Sequence, residues 1–326
     1  MTLTEQSQAF TKLLNIEHPI IGGAMYPCSN PELVAAVSEA GGIGIVQPIS
    51  LTFVHGYDFR DGIRHIKTKT TKPIGLNLLI EKSSKKYLEK NQAWLDIAIE
   101  EGVRFFITAL GNPSWVVKRL ESVPDAQVFH DVTNRKWAQK AVDAGVHGLI
   151  CVNNQAGGHA GTEPPHALRE SLLDFNMPLV CAGGIGGKHA YHRALEMGYA
   201  GVQMGTRFIA TQECSAHNDY KNAILNANAE DIVLTEKITG VPVSVIKTDY
   251  IKQKGVEPSS LVKALLSSNK TKHLMRFVFS IKSIWQLKKS LKNGSDYREF
   301  YQAGKSVAEI HDITTVKEVI DEMVGK

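Results

Sequence analysis

Apolar residues in the first two-thirds of the chain fall into short, nearly continuous runs that end in Gly, Asn or Pro and alternate with helical patterns. Eight runs read as strands: Pro19–Gly23, Gly42–Val46, Pro73–Leu78, Val103–Thr108, Ala126–Asp131, His147–Val152, Pro178–Ala182 and Gly201–Met204. Continuous rather than alternating apolar character suits parallel strands covered on both faces. Between them, Pro31–Ala40 reads as a helix with Asn30 as N-cap and Pro31 at the first position, ending at Gly41-Gly42. Asn134–Ala144 and His189–Met197 read likewise, stopping at Gly145 and Gly198. Glu101-Gly102-Val103, Ala144-Gly145-Val146 and Met197-Gly198-Tyr199 repeat one helix-to-strand turn, in which glycine takes the left-handed conformation cheaply. Eight βα units favour closure into a (β/α)8 barrel over an open sheet. Past Thr206 this rhythm stops: Arg207 to about Ala303 reads as mainly helical, and a last helical pattern runs from Lys305 to Val324. The organisation expected is a barrel over 1–212, a mainly helical insertion after strand eight over 213–303, and a closing helix within 304–326.

Composition narrows the class. The 326 residues are 43% hydrophobic and 21% charged, which is globular. Lys+Arg is 37 against 33 Asp+Glu, a formal +4 that does not suggest a nucleic-acid binder. Cys28, Cys151, Cys181 and Cys214 form no CxxC pair, so reduced thiols in a cytoplasmic protein are the expected state. Met1–Phe10 lacks a basic start followed by an apolar core, and no apolar stretch is long enough to span a bilayer. Ser259–Ser295 contains no Asp or Glu but carries Lys263, Lys270, Lys272, Arg276, Lys282, Lys288, Lys289 and Lys292. With Leu274, Phe277, Val278, Ile281, Ile284, Trp285 and Leu291 at helical spacing, it reads as a basic amphipathic helix: a cover over the barrel mouth with a solvated lysine face, or a docking face for an acidic ligand.

Chemistry is expected where strands end. Val152–Thr162 (VNNQAGGHAGT) follows strand six, on the face where barrel active sites form. There Gly157 and Gly158 would let a flat ligand approach the backbone, and His159 would move a proton near neutral pH. Cys181–Gly187 (CAGGIGG) and Gln203–Phe208 (QMGTRF) follow strands seven and eight, the pair of loops that commonly holds a phosphate, with Thr206 adding a hydroxyl. Gly22-Gly23-Ala24-Met25 follows strand one, and Asn77 lies near the end of strand three, where an amide can both donate to and accept from a heteroaromatic edge. Other motifs fail. Glu299 breaks a P-loop ending Gly304-Lys305-Ser306, and His189 breaks a dinucleotide fingerprint begun at Gly184. His166, His189 and His192 lack a carboxylate at metal-site spacing, and no GxSxG elbow occurs.

The ordered set PIIGGAM, GLNL, AGGHAG, AGGI and MGTRF, with TGVPVSVI (239–246) and AGKSVAEI (303–310), resembles the nitronate monooxygenase family, whose fold family includes flavin-dependent enoyl-acyl-carrier-protein reductases and NAD(P)H:quinone reductases. The resemblance implies a TIM barrel with a helical substrate domain and one non-covalent FMN. By motif it implies Ala24 and Met25 against the ring, Asn77 in contact with the flavin, and Gly157 and Gly158 close to it. Gly183, Gly184, Gln203, Met204, Gly205 and Thr206 would hold the phosphate end, and His159 would be the catalytic histidine. The implied reaction is oxidation of an alkyl nitronate, or its nitroalkane, by O2 to a carbonyl compound and nitrite. The alternative is NAD(P)H-dependent reduction of a quinone or enoyl thioester. A further alternative, a barrel dehydrogenase with a cysteine nucleophile, would need a reactive thiol such as Cys28. The chain departs from the family at Gln155, where an acid is usual, and at Lys305, where Gln is usual; a cation there either stabilises reduced flavin or points to solvent.

Overall fold

The computed structural model describes residues 4–80, 85–237, 242–257, 272–293 and 300–326. All eight expected strands form: β1 Ile20–Gly22, β2 Ile43–Val46, β3 Ile74–Leu79, β4 Phe105–Ala109, β5 Gln127–Val132, β6 Gly148–Val152, β7 Leu179–Ala182 and β8 Gly201–Met204. They pair in parallel in chain order, and β1 pairs with β8 to close a TIM barrel. Helices α2 (Pro31–Glu39), α3 (Phe59–Lys67), α4 (Lys85–Glu100), α5 (Ser114–Leu120), α6 (Arg135–Asp143), α7 (Pro165–Glu170) and α8 (Lys188–Glu196) alternate with the strands. Gly102, Gly145 and Gly198 have φ of +80°, +84° and +90°, the left-handed exits that the repeated turn requires.

Three features differ from the sequence reading. The N-terminal segment, for which the sequence predicts no element, forms α1 (Glu5–Leu14), which buries Phe10 and Leu14 against Ile21, Ile43, Ile45, Phe105 and Phe129 and plugs the barrel's N-terminal end. Asn30 sits at the N-cap position of α2 but makes no cap bond; it donates to Glu32 and to the Glu213 carbonyl, and accepts from the Ser215 N–H, fastening the chain beyond β8. The segment expected to be mainly helical also contains a two-stranded antiparallel sheet, β9 (Ile232–Thr235) with β10 (Val243–Ile246). Four-residue strands are too short to announce a period of two against the surrounding helical pattern.

That segment otherwise holds α9 (Thr206–Ile209), α10 (Asn218–Leu225), α11 (Asp249–Lys254) and α12 (Lys272–Asn293). Of the basic stretch, Lys263 and Lys270 lie outside the described residues. The last helical pattern opens as a 3-10 turn (Lys305–Glu309) before α13 (Val316–Val324), which a Thr315–Glu318 capping box starts and which packs between α2 and α8. No helix among the described residues is long and apolar enough to cross a membrane.

Candidate active site

Alternation along the strands decides what reaches the barrel interior. Register partners share a face, so Asn77 opposite Ile107, Asp131 opposite Ile150, and Gln203 opposite Ile21 and Ala182 all point inward with those apolar neighbours. One turn lower the inward positions are Phe105, Phe129, Ile45 and Val180. The interior thus changes from apolar to polar toward the C-terminal ends of the strands, and the polar end opens into a cavity of about 1410 Å³.

All twelve residues singled out in the sequence line this cavity: Ala24 and Met25 after β1, Asn77 on β3, Gly157, Gly158 and His159 after β6, Gly183 and Gly184 after β7, and Gln203, Met204, Gly205 and Thr206 at β8. The volume exceeds the ~300–1,000 Å³ usual for one small ligand and includes a groove reaching Trp137 and Lys140 of α6. Helix α12 crosses the mouth with Ile284 and Leu287 toward the cavity. It is tied down by the Tyr26 hydroxyl donating to the Ile284 carbonyl (2.5 Å) and by Lys288 donating to the Phe53 carbonyl (2.6 Å). Lys282 and Lys292 are exposed on this helix.

The β6 loop is built from Asn153, whose side chain is fully buried. Its Nδ2 donates to the Gly183 carbonyl (3.0 Å), and its Oδ1 accepts from the Gln155 N–H (2.8 Å), so one amide locks the histidine loop to the β7 loop. On the far side Ser244 of β10 donates to the Gly158 carbonyl (2.7 Å), and Lys305 N–H donates to the Gln155 carbonyl (2.9 Å). The glycines here answer first to the protein. A Cβ on Gly157 would sit 2.8 Å from the Gly304 nitrogen, and one on Gly183 (φ +118°) would sit 2.6 Å from the Ala156 nitrogen. Close loop packing, rather than open approach of a ligand, is what requires glycine at these two positions. Gly304 N–H also donates to the Thr206 hydroxyl (3.0 Å), so that hydroxyl has a partner within the chain. Arg207 of the same motif is buried and pairs with Asp312 Oδ1 (2.7 Å), anchoring the C-terminal segment to β8.

His159 keeps a large share of its surface accessible because the cavity is open, while the protein around it pulls its imidazole below the ordinary value by desolvation. It is neutral at pH 7 and can accept a proton. Lys305 is exposed and does not line the cavity, whereas Gln155 does, lying over Gly184. Cys28 lines the cavity but is fully buried, and its contact with the Cys214 thiol, together with burial, pushes its own thiol up, leaving it a poor nucleophile. Asp131, which sequence reasoning missed, lines the cavity floor with its Oδ1 sealed from solvent and without a partner among the described residues; desolvation raises its carboxyl to about 7.

These residues fit a flavin. Gln203 Oε1 is a buried acceptor with no partner among the described residues, and the buried Asn77 amide reaches the Ile107 carbonyl only at 3.4 Å. Helices α8 and α9 both start after a glycine, Gly187 and Gly205, with no side-chain cap on their first N–H groups.

Comparison with known proteins agrees. The sequence model for nitronate monooxygenase matches residues 7–326. The chain is 30% identical to a nitronate monooxygenase from Pseudomonas aeruginosa over 71% of its own length and 77% of that protein. It is 28% identical, over 97% of its length and 94% of the relative, to the Rhodococcus jostii (3aS,4S,5R,7aS)-5-hydroxy-7a-methyl-1-oxo-octahydro-1H-indene-4-carboxyl-CoA dehydrogenase. Its fold matches FabK from Thermotoga maritima with a TM-score of 0.79 at 28% identity, covering 97% of this chain and 94% of that one. The chain belongs to the nitronate monooxygenase family, a family of flavin-dependent oxidoreductases.

Proposed function

We propose that the chain binds one FMN across the polar end of the barrel and oxidises alkyl nitronates with O2 to a carbonyl compound and nitrite. The observation that carries the reading is the convergence of an accessible, neutral His159 with the β7 and β8 loops on one cavity in a chain that matches the family along nearly its whole length. Bound FMN supplies the electron transfer to and from substrate and O2. The protein's part is positional. His159 accepts a proton from a neutral nitroalkane or hydrogen-bonds the nitronate oxygens, and its lowered pKa keeps it competent at neutral pH. Asn77 and Gln203 orient the ring edge, the β7 and β8 loops hold the phosphate, and Ile284 and Leu287 exclude water from above.

A second reading is favoured by α12. Apolar residues toward the cavity and lysines outside suit an enoyl thioester whose acyl part enters and whose anionic carrier stays at the rim, reduced through the flavin with NAD(P)H as the hydride donor. Anaerobic flavin bleaching separates the two. Propionate 3-nitronate should reduce the bound flavin while NADH and NADPH should not; rapid bleaching by a pyridine nucleotide alone would move the assignment to the thioester or quinone reductase.

A further inference from the structure

The floor of the cavity holds a titratable group that the reaction above leaves unused. Asp131 is the last inward-facing residue of β5, two positions above Phe129, in register with Ile150 of β6. Its side chain sits against the apolar inner wall, Oδ1 has no hydrogen-bond partner among the described residues, and the part of the residue still accessible faces the cavity. An unpaired carboxylate is costly in such a place, and a ligand lying over it would remove the water it has left.

The charged and titratable groups nearby offer no relief. On β6 the Cys151 thiol is pushed well up by burial and stays neutral. On β5 itself His130 faces the other side of the strand, bonded to the Thr108 hydroxyl of β4 (2.8 Å), and is neutral with its pKa pulled down to about 4. His159, above, is neutral at pH 7. On α6, Lys140 and Asp143 line the same cavity, and neither makes a hydrogen bond or ion pair with Asp131 among the described residues. The polar side chains Gln47, Asn77 and Gln203, which also line the cavity, are neutral amides.

Resting on the flavin reading, we propose that Asp131 is the floor contact of the bound flavin, and that filling the site is coupled to one proton on its carboxyl. A neutral carboxylic acid can donate a hydrogen bond to a carbonyl or ring nitrogen of the ligand, which a carboxylate cannot. A carboxylate would instead face a phosphate-bearing ligand without a counter-charge.

The test is equilibrium binding of FMN to the apoprotein, by quenching of flavin fluorescence, from pH 5.5 to 9 for wild type and Asp131→Asn. The ionisation of the FMN phosphate is common to both, so the difference between the two profiles isolates Asp131. Wild-type affinity should fall relative to the variant as pH rises, approaching tenfold per unit above pH 7, with the variant at least tenfold tighter at pH 9. A second measurement needs no variant: calorimetry of FMN binding in buffers of different ionisation enthalpy should show the wild type taking up close to one proton at pH 8.5 and little at pH 5.5. Parallel pH profiles with no proton uptake would overturn the role of Asp131 while leaving the flavin reading intact. No FMN binding by wild type at any pH would overturn both.

Discussion

The two ends of the barrel interior are made from the same alternation and differ in what fills it. At the N-terminal end, Phe105 and Phe129 meet edge to face at 5.3 Å, and Phe10 of α1 closes over them. At the C-terminal end the inward positions include Asn77, Asp131 and Gln203, and among the described residues Asp131 and Gln203 each leave a buried oxygen without a partner. One end has satisfied its packing and has nothing left to bind; the other keeps unmet hydrogen-bonding capacity, which is what a ligand site requires. Stability and chemistry are thus stacked along one axis, a few residues apart on the same strands.

Substitutions at the two ends should therefore behave differently. The largest effect is expected from Phe129→Ala, which opens a cavity in the fully buried plug and should cost about 3–5 kcal/mol in chemical denaturation. Asp131→Asn should do the reverse. The folded carboxyl titrates near 7 against 3.8 unfolded, so its contribution is present at low pH and is lost as pH rises through 7. The variant should match wild type below pH 4 and exceed it by roughly 2–4 kcal/mol above pH 8 in the apoprotein. Equal stability at pH 8.5 would show that the floor is not dry. Gly157→Ala pushes a methyl against the Gly304 backbone and should cost about 1–3 kcal/mol, with weakened FMN binding as the loops separate. His159→Gln is expected to be the smallest in stability, within about 0.5 kcal/mol, because the side chain is exposed in the cavity. The same change should lower turnover of a neutral nitroalkane by about 10²–10⁴, and a stability loss as large as that of Gly157→Ala would mean that His159 is structural.

The same division explains what the sequence made legible. The eight strands are visible because continuous runs such as Val103–Thr108 contrast with glycine-punctuated helices, and strand ends point to the site without any side-chain geometry. α1 was not visible: in a polar N-terminus, burial of Phe10 and Leu14 depends on a barrel end formed by residues far along the chain. The partner that requires Gly157 is Gly304, equally remote in sequence. Asp131 did carry a signal. Counting two from Phe129 puts a carboxylate inside a barrel strand near its C-terminal end, and that position merits attention even in an apolar run.

The most direct test of the account is titration of FMN into apoprotein at pH 6.5, comparing wild type with Gln203→Ala and Phe129→Leu by bound-flavin fluorescence and thermal unfolding in parallel. The polar end as flavin site predicts one FMN per chain for wild type, at least tenfold weaker binding with unchanged melting for Gln203→Ala, and lowered melting with near-normal FMN affinity for Phe129→Leu. Unaltered FMN affinity in Gln203→Ala, or no binding by wild type, would contradict it.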